Sequence, residues 1–245
     1  MKLSYFTMPL HPLGRDYRAT LAEDRAAILL ADELGFAEAF VGEHVTDLAE
    51  TITSTLIFLA SLAYETRRIH LGSGTVNLPN AHPAAVAAQV AMLDHMLDGR
   101  FVFGISPGGL RSDAEVFGNL DRDHRAMCAE AIDQVLAIWA GDPPYDLDGR
   151  YWQISTRRTL DVEIGQGAIL KPLQRPHPPV MVACMSPTSD SVSEAARRGW
   201  SVVSANFLQP GLVASHWQKL NEGWTAGGTG AAPGRLARRQ EHFRR

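Results

Sequence analysis

The stretch Ile69–Ser106, IHLGSGTVNLPNAHPAAVAAQVAMLDHMLDGRFVFGIS, decides the fold because it contains two strand patterns with a helix between them. Pro83 suits the first position of a helix, and apolar residues then recur at helical spacing until Gly99. Those residues are Val86, Val90, Leu93 and Leu97. Strand, helix and strand in this order predict two parallel strands covered by the connecting helix.

The same alternation continues in both directions along the chain. Further strand patterns are KLSYFT at 2–7, FAEAFV at 36–41, PVMVACM at 179–185 and WSVVSA at 200–205. Helical spacing is predicted after each of the first five strands, including Ile52–Ala63, and again at 210–224. No G-x-G-x-x-G follows the first strand, where MPLHPLG stands, so a (β/α)8 barrel is favoured over a doubly wound dinucleotide-binding sheet.

The sequence contains no strand pattern that would correspond to strands seven and eight of such a barrel. A Pro- and Gly-rich excursion at 143–179, with a β-hairpin predicted on Asp148–Gly149, takes up chain length. We therefore predict an α/β, TIM-barrel-type (β/α)8 fold truncated after about six strand-helix units, formed by residues 1–222. Residues 223–245 are predicted to be a disordered tail. Open sheet edges favour low solubility or swapped dimers, so a homodimer is an expected assembly.

Composition narrows the classes of partner. The net charge of -4, without a long basic stripe, argues against nucleic-acid binding and favours small-molecule partners. Cys128 and Cys184 lie far apart, and the histidines are dispersed, so neither a disulfide framework nor a metal site is expected. No signal peptide or membrane-spanning segment is recognised, which predicts a cytoplasmic protein without membrane contact.

Polar residues and glycines follow the predicted strands. Because the loops after the strands of a barrel build its active site, these segments are expected to meet at one rim. The stretch FVGEHVTDLAE places Glu43 and His44 where the second strand ends, in the segment Gly42–Asp47. The other segments are Met8–Pro12, Gly74–Asn77, Ser106–Gly109, Met185–Thr188 and Ser204–Asn206.

Several motifs together carry a resemblance over residues 1–222. They are MPLHPLGRDY, GEHVTD, LGSGTVNLPNAHP, LDHMLDGRFVFGISPGG, VFGN and SANFL. With them the chain resembles the bacterial-luciferase-like, flavin-dependent monooxygenases, most closely the limonene 1,2-monooxygenase branch. The resemblance implies a barrel that binds reduced FMN supplied by a separate NAD(P)H-dependent flavin reductase. It also implies O2 addition as a C4a-peroxyflavin and transfer of one oxygen atom to a small apolar, terpene-like substrate.

The resemblance implies roles for three residues in catalysis. His44 matches the family's catalytic histidine, a general acid/base or hydrogen-bond partner near the flavin. Glu43 either contacts the flavin ring or orients its loop. Asp113 matches an active-site aspartate, although an aspartate near a helix start is also a common cap. Val45 stands where the family usually has a second histidine, which argues against a two-histidine mechanism.

A second set is implied to bind the cofactor. Gly74–Thr75 matches the family's non-proline cis peptide beneath the isoalloxazine, and Ser106 stands where luciferases carry a reactive cysteine. The start of the helix after strand five favours an anion, so the flavin phosphate is expected there, unless its Ser/Thr run only caps the helix. The predicted cofactor-binding residues are Gly74, Thr75, Asn77, Ser106, Gly108, Met185, Ser186 and Thr188.

Two alternatives stand beside a monooxygenase. One is a non-catalytic remnant that binds flavin or substrate, because the residues for the flavin are present while part of the barrel wall is not. The other, on the same scaffold, is a deazaflavin-dependent oxidoreductase.

Overall fold

The computed structural model describes residues 3–205 and 208–227. Its strands are β1 (Ser4–Thr7), β2 (Glu38–Val41), β3 (His70–Ser73), β4 (Val76–Asn77), β5 (Phe101–Ser106), β6 (Asp146–Asp148), β7 (Gln153–Ser155), β8 (Val180–Cys184) and β9 (Ser201–Ser204). Its helices are α1 (Tyr17–Glu33), α2 (Thr55–Ala60), α3 (Pro83–Met96), α4 (Arg111–Val116), α5 (His124–Ala140), α6 (Asp190–Arg197) and α7 (Pro210–Gly227), with a short 3-10 helix at Leu78–Asn80.

The main sheet is parallel throughout, in the order β1-β2-β3-β5-β8-β9, with β4 pairing β5 beyond the end of β3. Its six principal strands are the six predicted from the sequence, which confirms the parallel α/β prediction. In the described part of the chain, β1 and β9 are the two edges of this sheet.

The two faces of the sheet have different neighbours. Residues such as Ala39, Leu71 and Phe103 belong to the large buried cluster that also contains helical residues. The alternate positions Phe40, Val102 and Met181 form a second, smaller cluster. Since successive side chains of a strand point to opposite faces, one face packs on helices and the other forms the interior side of a curved barrel wall.

Helix α3 has a clear signal at each end. Pro83 is its first residue, as predicted, and the His82 side chain caps the helix by accepting a hydrogen bond from the Ala84 amide at 3.2 Å. Gly99, with φ +72°, lies just beyond the C-terminal end, where a left-handed conformation favours glycine. The apolar face is buried as its spacing predicted.

Three predicted elements differ from the observed ones. The strand IHLGSGTV is divided into β3 and β4 by the Gly74–Thr75 bond, which is cis. The helix predicted over Ile52–Ala63 is shorter, because Glu43 and Ser54 accept hydrogen bonds from amides of its first turn. Helix α4, at Arg111–Val116, was not predicted.

The excursion at 143–179 contains the predicted hairpin, with a different turn. Strands β6 and β7 pair antiparallel with Asp148 opposite Gln153, so the connection has four residues and not an Asp-Gly pair. The Glu130 carboxylate of α5 accepts hydrogen bonds from the amides of Arg150, Tyr151 and Trp152 at 2.8–3.0 Å. These three bonds stabilise the longer loop.

Helix α7 extends further than predicted and packs along α6. It continues through residue 227, so residues 223–227 are helical and not part of a disordered tail. The rest of that predicted tail, 228–245, lies outside the described residues, as does Asn206 of the predicted rim. Among the helices of 3–205 and 208–227, none has the length and apolar character that crossing a bilayer requires.

Candidate functional site

The carboxyl ends of β2, β4 and β5 bring most of the predicted site residues together. His44 follows β2, Asn77 ends β4 and Ser106 ends β5, and Asp113 reaches the same place from α4. Hydrogen bonds join these positions into two connected groups, one around Asp113 and one around Ser106. A small cleft between them is lined by Asn77, Gly108, Asp113 and His124, among others.

His44 lies between two carboxylates. Its Nδ1 is 3.3 Å from Asp113 Oδ2, and its Nε2 is 3.3 Å from Glu50 Oε2. The ring retains 16% of its side-chain exposure, so it remains accessible at the rim. The His44 amide donates to the Ile52 carbonyl at 3.0 Å, which fixes the backbone below the ring. The imidazole is therefore held at both nitrogens and can carry a proton there.

Asp113 organises the loop after β2. Its carboxylate accepts hydrogen bonds from the amides of Val45 and Thr46 and from the Thr46 hydroxyl, at 2.6–3.3 Å. Burial alone raises the pKa of Asp113, but the hydrogen bonds from Thr46, Val45 and His44 outweigh burial and hold that pKa below its ordinary value. The cap of α4 is Leu110, so the alternative assignment of Asp113 as a helix cap is wrong.

Glu43 connects three elements. Its Oε2 accepts from the Thr55 amide at 2.9 Å, at the start of α2, and its Oε1 accepts from the Asn77 amide at 3.0 Å. Burial raises the pKa of Glu43 although both amides favour its ionised form. With both carboxylate oxygens bonded to backbone amides, these contacts favour the loop-orienting role over direct contact with a flavin.

Ser106 is the centre of the second group. Its hydroxyl accepts from the Thr75 hydroxyl at 2.7 Å and donates to Asn77 Oδ1 at 2.9 Å. It also accepts from the amide of Gly108, whose φ of +78° suits glycine. The Gly74–Thr75 bond is cis, as the family resemblance implied. The polar side chains thus bond to one another within a loop whose residues 74–77 are buried.

The residues predicted for the phosphate lie at the end of β8 and form a separate contact group. The His216 ring of α7 bonds through Nε2 to the Ser186 carbonyl at 2.8 Å and through Nδ1 to the Ser204 hydroxyl at 2.8 Å. The Thr188 amide donates to the Ser215 hydroxyl at 3.1 Å, and Met185 is 59% exposed. Within the described residues, no hydrogen bond joins this group to His44 or Ser106.

Sequence reasoning missed Thr46 and Glu50. Both lie in the stretch that contains His44, so their position was a signal that side chains of one loop can converge on one ring. It also missed a nearby contact between a histidine and a carboxylate, since His11 Nε2 lies 3.0 Å from Asp24 Oδ1. The His11 amide donates to the Ala49 carbonyl. This bond attaches the loop after β1 to the loop after β2.

Comparison with known proteins gives the family. The sequence pattern of the luciferase-like monooxygenases matches residues 1–240. The chain belongs to the luciferase-like monooxygenase family.

Two relatives are monooxygenases named for different substrates. The 4-hydroxyprotoasukamycin monooxygenase of Streptomyces nodosus subsp. asukaensis is 35% identical over 174 residues, 68% of this chain and 47% of that protein. Limonene 1,2-monooxygenase of Rhodococcus erythropolis is 38% identical over 137 residues, 56% of this chain and 35% of that protein.

A solved structure supports the barrel-type fold. The oxygenating constituent of 3,6-diketocamphane monooxygenase from Pseudomonas putida, in complex with FMN, superposes with a TM-score of 0.86 at 25% identity. The alignment covers 93% of this chain and 63% of that one. The sheet described here is thus a curved part of a luciferase-like barrel wall. The chain spans about half the length or less of the two curated relatives named above.

Proposed function

We propose that this chain binds reduced FMN and acts as the oxygenase in a flavin-dependent monooxygenase reaction. The observation that carries the proposal is the His44 ring, held by Asp113 beside the Gly74–Thr75 loop in a member of the luciferase-like family. The substrate class proposed is a small apolar, terpene-like molecule, with O2 as co-substrate. Electrons come from a separate NAD(P)H-dependent flavin reductase.

The residues present fit a planar ligand on the ring side. The Gly74–Thr75 backbone borders the interior face of the sheet, where the Phe6 ring and the Phe40 Cβ lie close to Gly74. Phe6 is 40% exposed and Met8 is 36% exposed, so an apolar surface is open there. Small-molecule sites are lined mostly by apolar and aromatic side chains, as this surface is.

The phosphate side supports the proposal less strongly. The groups proposed for the phosphate, at the end of β8, are the Thr188 hydroxyl and backbone groups of Met185 and Ser186. Asp190 in the first turn of α6 adds a negative charge there, and the Thr188 amide is already bonded to Ser215. An anion at this position therefore depends on the Met185 and Ser186 amides and on the Thr188 hydroxyl.

Bound reduced flavin would supply the electrons that reduce O2 and the site from which one oxygen atom is transferred. The chain's own contribution is proton management and exclusion of water. Asp113, held ionised by its hydrogen bonds, keeps His44 Nδ1–H oriented, so Nε2 is the atom that gains and loses a proton. When a planar ligand covers them, the apolar side chains of Phe6 and Phe40 exclude water from the contact surface.

Anaerobic titration with reduced FMN, followed by rapid mixing with oxygenated buffer, tests this function. We expect saturable binding and a transient absorbing species distinct from reduced and oxidised FMN. His44→Asn should still bind FMN but lose roughly 10²-fold or more in product formation, as for removal of a general acid/base. The control is His95→Asn, on the exposed face of α3.

Two results would contradict the proposal. Oxidation of FMN at its rate in free solution, with the protein shown to be folded, would favour the non-catalytic remnant. Equal product formation by wild type and His44→Asn would remove His44 from the reaction.

A further inference from the structure

The second carboxylate at His44 has no role in the function proposed above. Glu50 Oε2 is 3.3 Å from His44 Nε2, on the side of the ring opposite Asp113. The Glu50 side chain is 25% exposed, whereas that of Asp113 is 3% exposed. The imidazole thus has a buried carboxylate at one nitrogen and a carboxylate in contact with solvent at the other.

The position of Glu50 is fixed by its own loop. The amides of Ala49 and Glu50 both donate to Asp47 Oδ1, at 2.8 and 3.2 Å, which closes a turn immediately before Glu50. The Ala49 carbonyl accepts from the His11 amide at 2.9 Å, from the loop after β1. These contacts direct the chain back so that the Glu50 side chain reaches the ring.

We propose that Glu50 is the proton partner of His44, the group through which the imidazole exchanges its proton with solvent. The inference rests on the proposed function. In the exchange, the Nε2–H bond of the imidazolium breaks and an O–H bond forms on Glu50. The ring becomes neutral, and the carboxylic acid then releases the proton to water. Asp113 accepts the Nδ1–H hydrogen bond throughout and stays ionised.

The charges around the ring support this division of roles. His44 faces Asp113 from α4 and Glu50 from its own loop, and Asp47 and Glu43 also interact with it electrostatically. Burial raises the pKa of Glu50, and Asp47 raises it further, against the lowering effect of His44. In contrast, and despite burial, the pKa of Asp113 is lowered by the hydrogen bonds that its carboxylate accepts. Of the two carboxylates that touch the ring, Glu50 is the one that more readily takes a proton.

NMR of the ligand-free chain with 15N-labelled histidine tests the pairing without any flavin. His44→Asn identifies the His44 signals. In the wild type we expect the Nε2 signal to show a separate step in the acid range as Glu50 titrates. That step should be lost in Glu50→Gln. In Glu50→Asp, whose shorter side chain keeps the charge, the step should occur at a different pH. It should be unchanged in Glu163→Gln, an exposed carboxylate of the excursion at 143–179.

An unchanged acid step in folded Glu50→Gln would overturn the proposal. The signal of His44 Nδ1, the nitrogen that bonds to Asp113, and the far-UV circular dichroism spectrum show whether each variant is folded. If Glu50→Gln does not fold, Glu50→Asp still tests the proposal.

The role of Glu50 in turnover is tested by measuring, across pH, how fast a terpene-like substrate is oxygenated with reduced FMN and O2. Glu50→Gln should lose about tenfold, with an altered acid limb of the pH profile, less than the loss expected for His44→Asn. If the NMR step depends on Glu50 but the wild type forms no product, the proton pairing is supported and the proposed function fails. If the wild type is active and Glu50→Gln has its full pH profile, the role of Glu50 in turnover is overturned.

Discussion

At position 104 the backbone of β5 passes directly against that of β3. The Ser73 hydroxyl donates to the Gly104 carbonyl at 2.7 Å and accepts from its amide at 2.8 Å. A Cβ on residue 104 would overlap the Ser73 carbonyl oxygen, which is backbone and cannot rotate away. Only glycine therefore permits this spacing of the two strands.

Gly104→Ala should consequently destabilise the fold by about 3 kcal/mol or more, at the upper end for overpacking, because strands must separate. Gly109→Ala is the matched control, since nothing lies within 4 Å of its added Cβ. Its effect should stay within about 0.5 kcal/mol. Urea unfolding followed by circular dichroism measures both, and equal midpoints for the two variants would contradict the close approach.

Asp113 gives a prediction with a pH dependence. Asp113→Asn should lower stability by about 1.5–3 kcal/mol near neutral pH, because the amide group cannot accept all of the bonds from Val45, Thr46 and His44. The pKa of Asp113 is lowered on folding, so its contribution is present above the ordinary carboxyl value of about 3.9 and lost as pH falls through the lower folded-state pKa.

The stability difference between wild type and Asp113→Asn should therefore shrink as urea unfolding is repeated from pH 6 down to pH 3. Asp121→Asn, at an exposed position after α4, serves as the control and should show no such trend. A difference that grew toward acid pH would mean that Asp113 is not the ionised acceptor.

At this scale the sequence predicted which residues meet but not what they bond to. His44 and Asp113 were predicted to act at one site, and the Gly74–Thr75 cis bond was expected, because His44 and Gly74–Thr75 lie in motifs of the resemblance and Asp113 matches an aspartate of the family. The direction of the Glu43 carboxylate depends on where Thr55 and Asn77 place their amides, which only the folded chain fixes. For the same reason the position of Glu50 near His44 in the sequence did not show that its carboxylate contacts the ring.

The hairpin of β6 and β7 depends on one residue outside it. Glu130 of α5 accepts three consecutive amide hydrogen bonds from the loop, and a Cβ at Gly149 would overlap the Glu130 carboxylate. We expect Glu130→Ala to leave these amides without their acceptor and to speed their hydrogen exchange by about tenfold or more. Exchange measured by NMR or mass spectrometry for residues 146–155 tests this.

Glu115→Ala, at an exposed position of α4, is the control for the loss of a helical carboxylate. It should leave exchange in the hairpin unchanged. If Glu130→Ala also left it unchanged, strand pairing alone would be holding the loop.

A helix or strand was predictable where the local sequence contains a signal for its start and a signal for its end. Helix α3 has a proline at its first position and a glycine just after its end, and its length was correct. Helix α4 has only six residues and no side-chain cap, so its sequence lacks a start signal. The predicted turn of the hairpin was wrong because Glu130 stabilises a longer loop than the local Asp-Gly pair favours. A tertiary contact outweighed local turn chemistry there.

Across the whole molecule, one buried cluster connects nearly every element of the described chain. It includes Ile28 in α1, Leu71 in β3, Val135 in α5 and Leu220 in α7. The order of the parallel strands was predictable because sequential strand-helix units are usually neighbours. The packing of α7 against α6 was not, since it depends on a close contact that no motif marks: a Cβ on Gly223 would overlap the Ser193 carbonyl.

Because that cluster is continuous, we expect the described chain to unfold as one cooperative unit. In a variant with Trp139, Trp152 and Trp200 replaced by phenylalanine, fluorescence reports on α7 through Trp217 and Trp224, whose ring centroids are 5.9 Å apart, while far-UV circular dichroism reports on all elements. The two urea transitions should coincide. Gly223→Ala should lower both midpoints together, and Gly211→Ala, with nothing within 4 Å of its added Cβ, should lower neither by a comparable amount. A fluorescence transition that preceded the loss of ellipticity would show that α6 and α7 separate from the sheet first, so the β8 end of the site would be independent of His44 and Ser106.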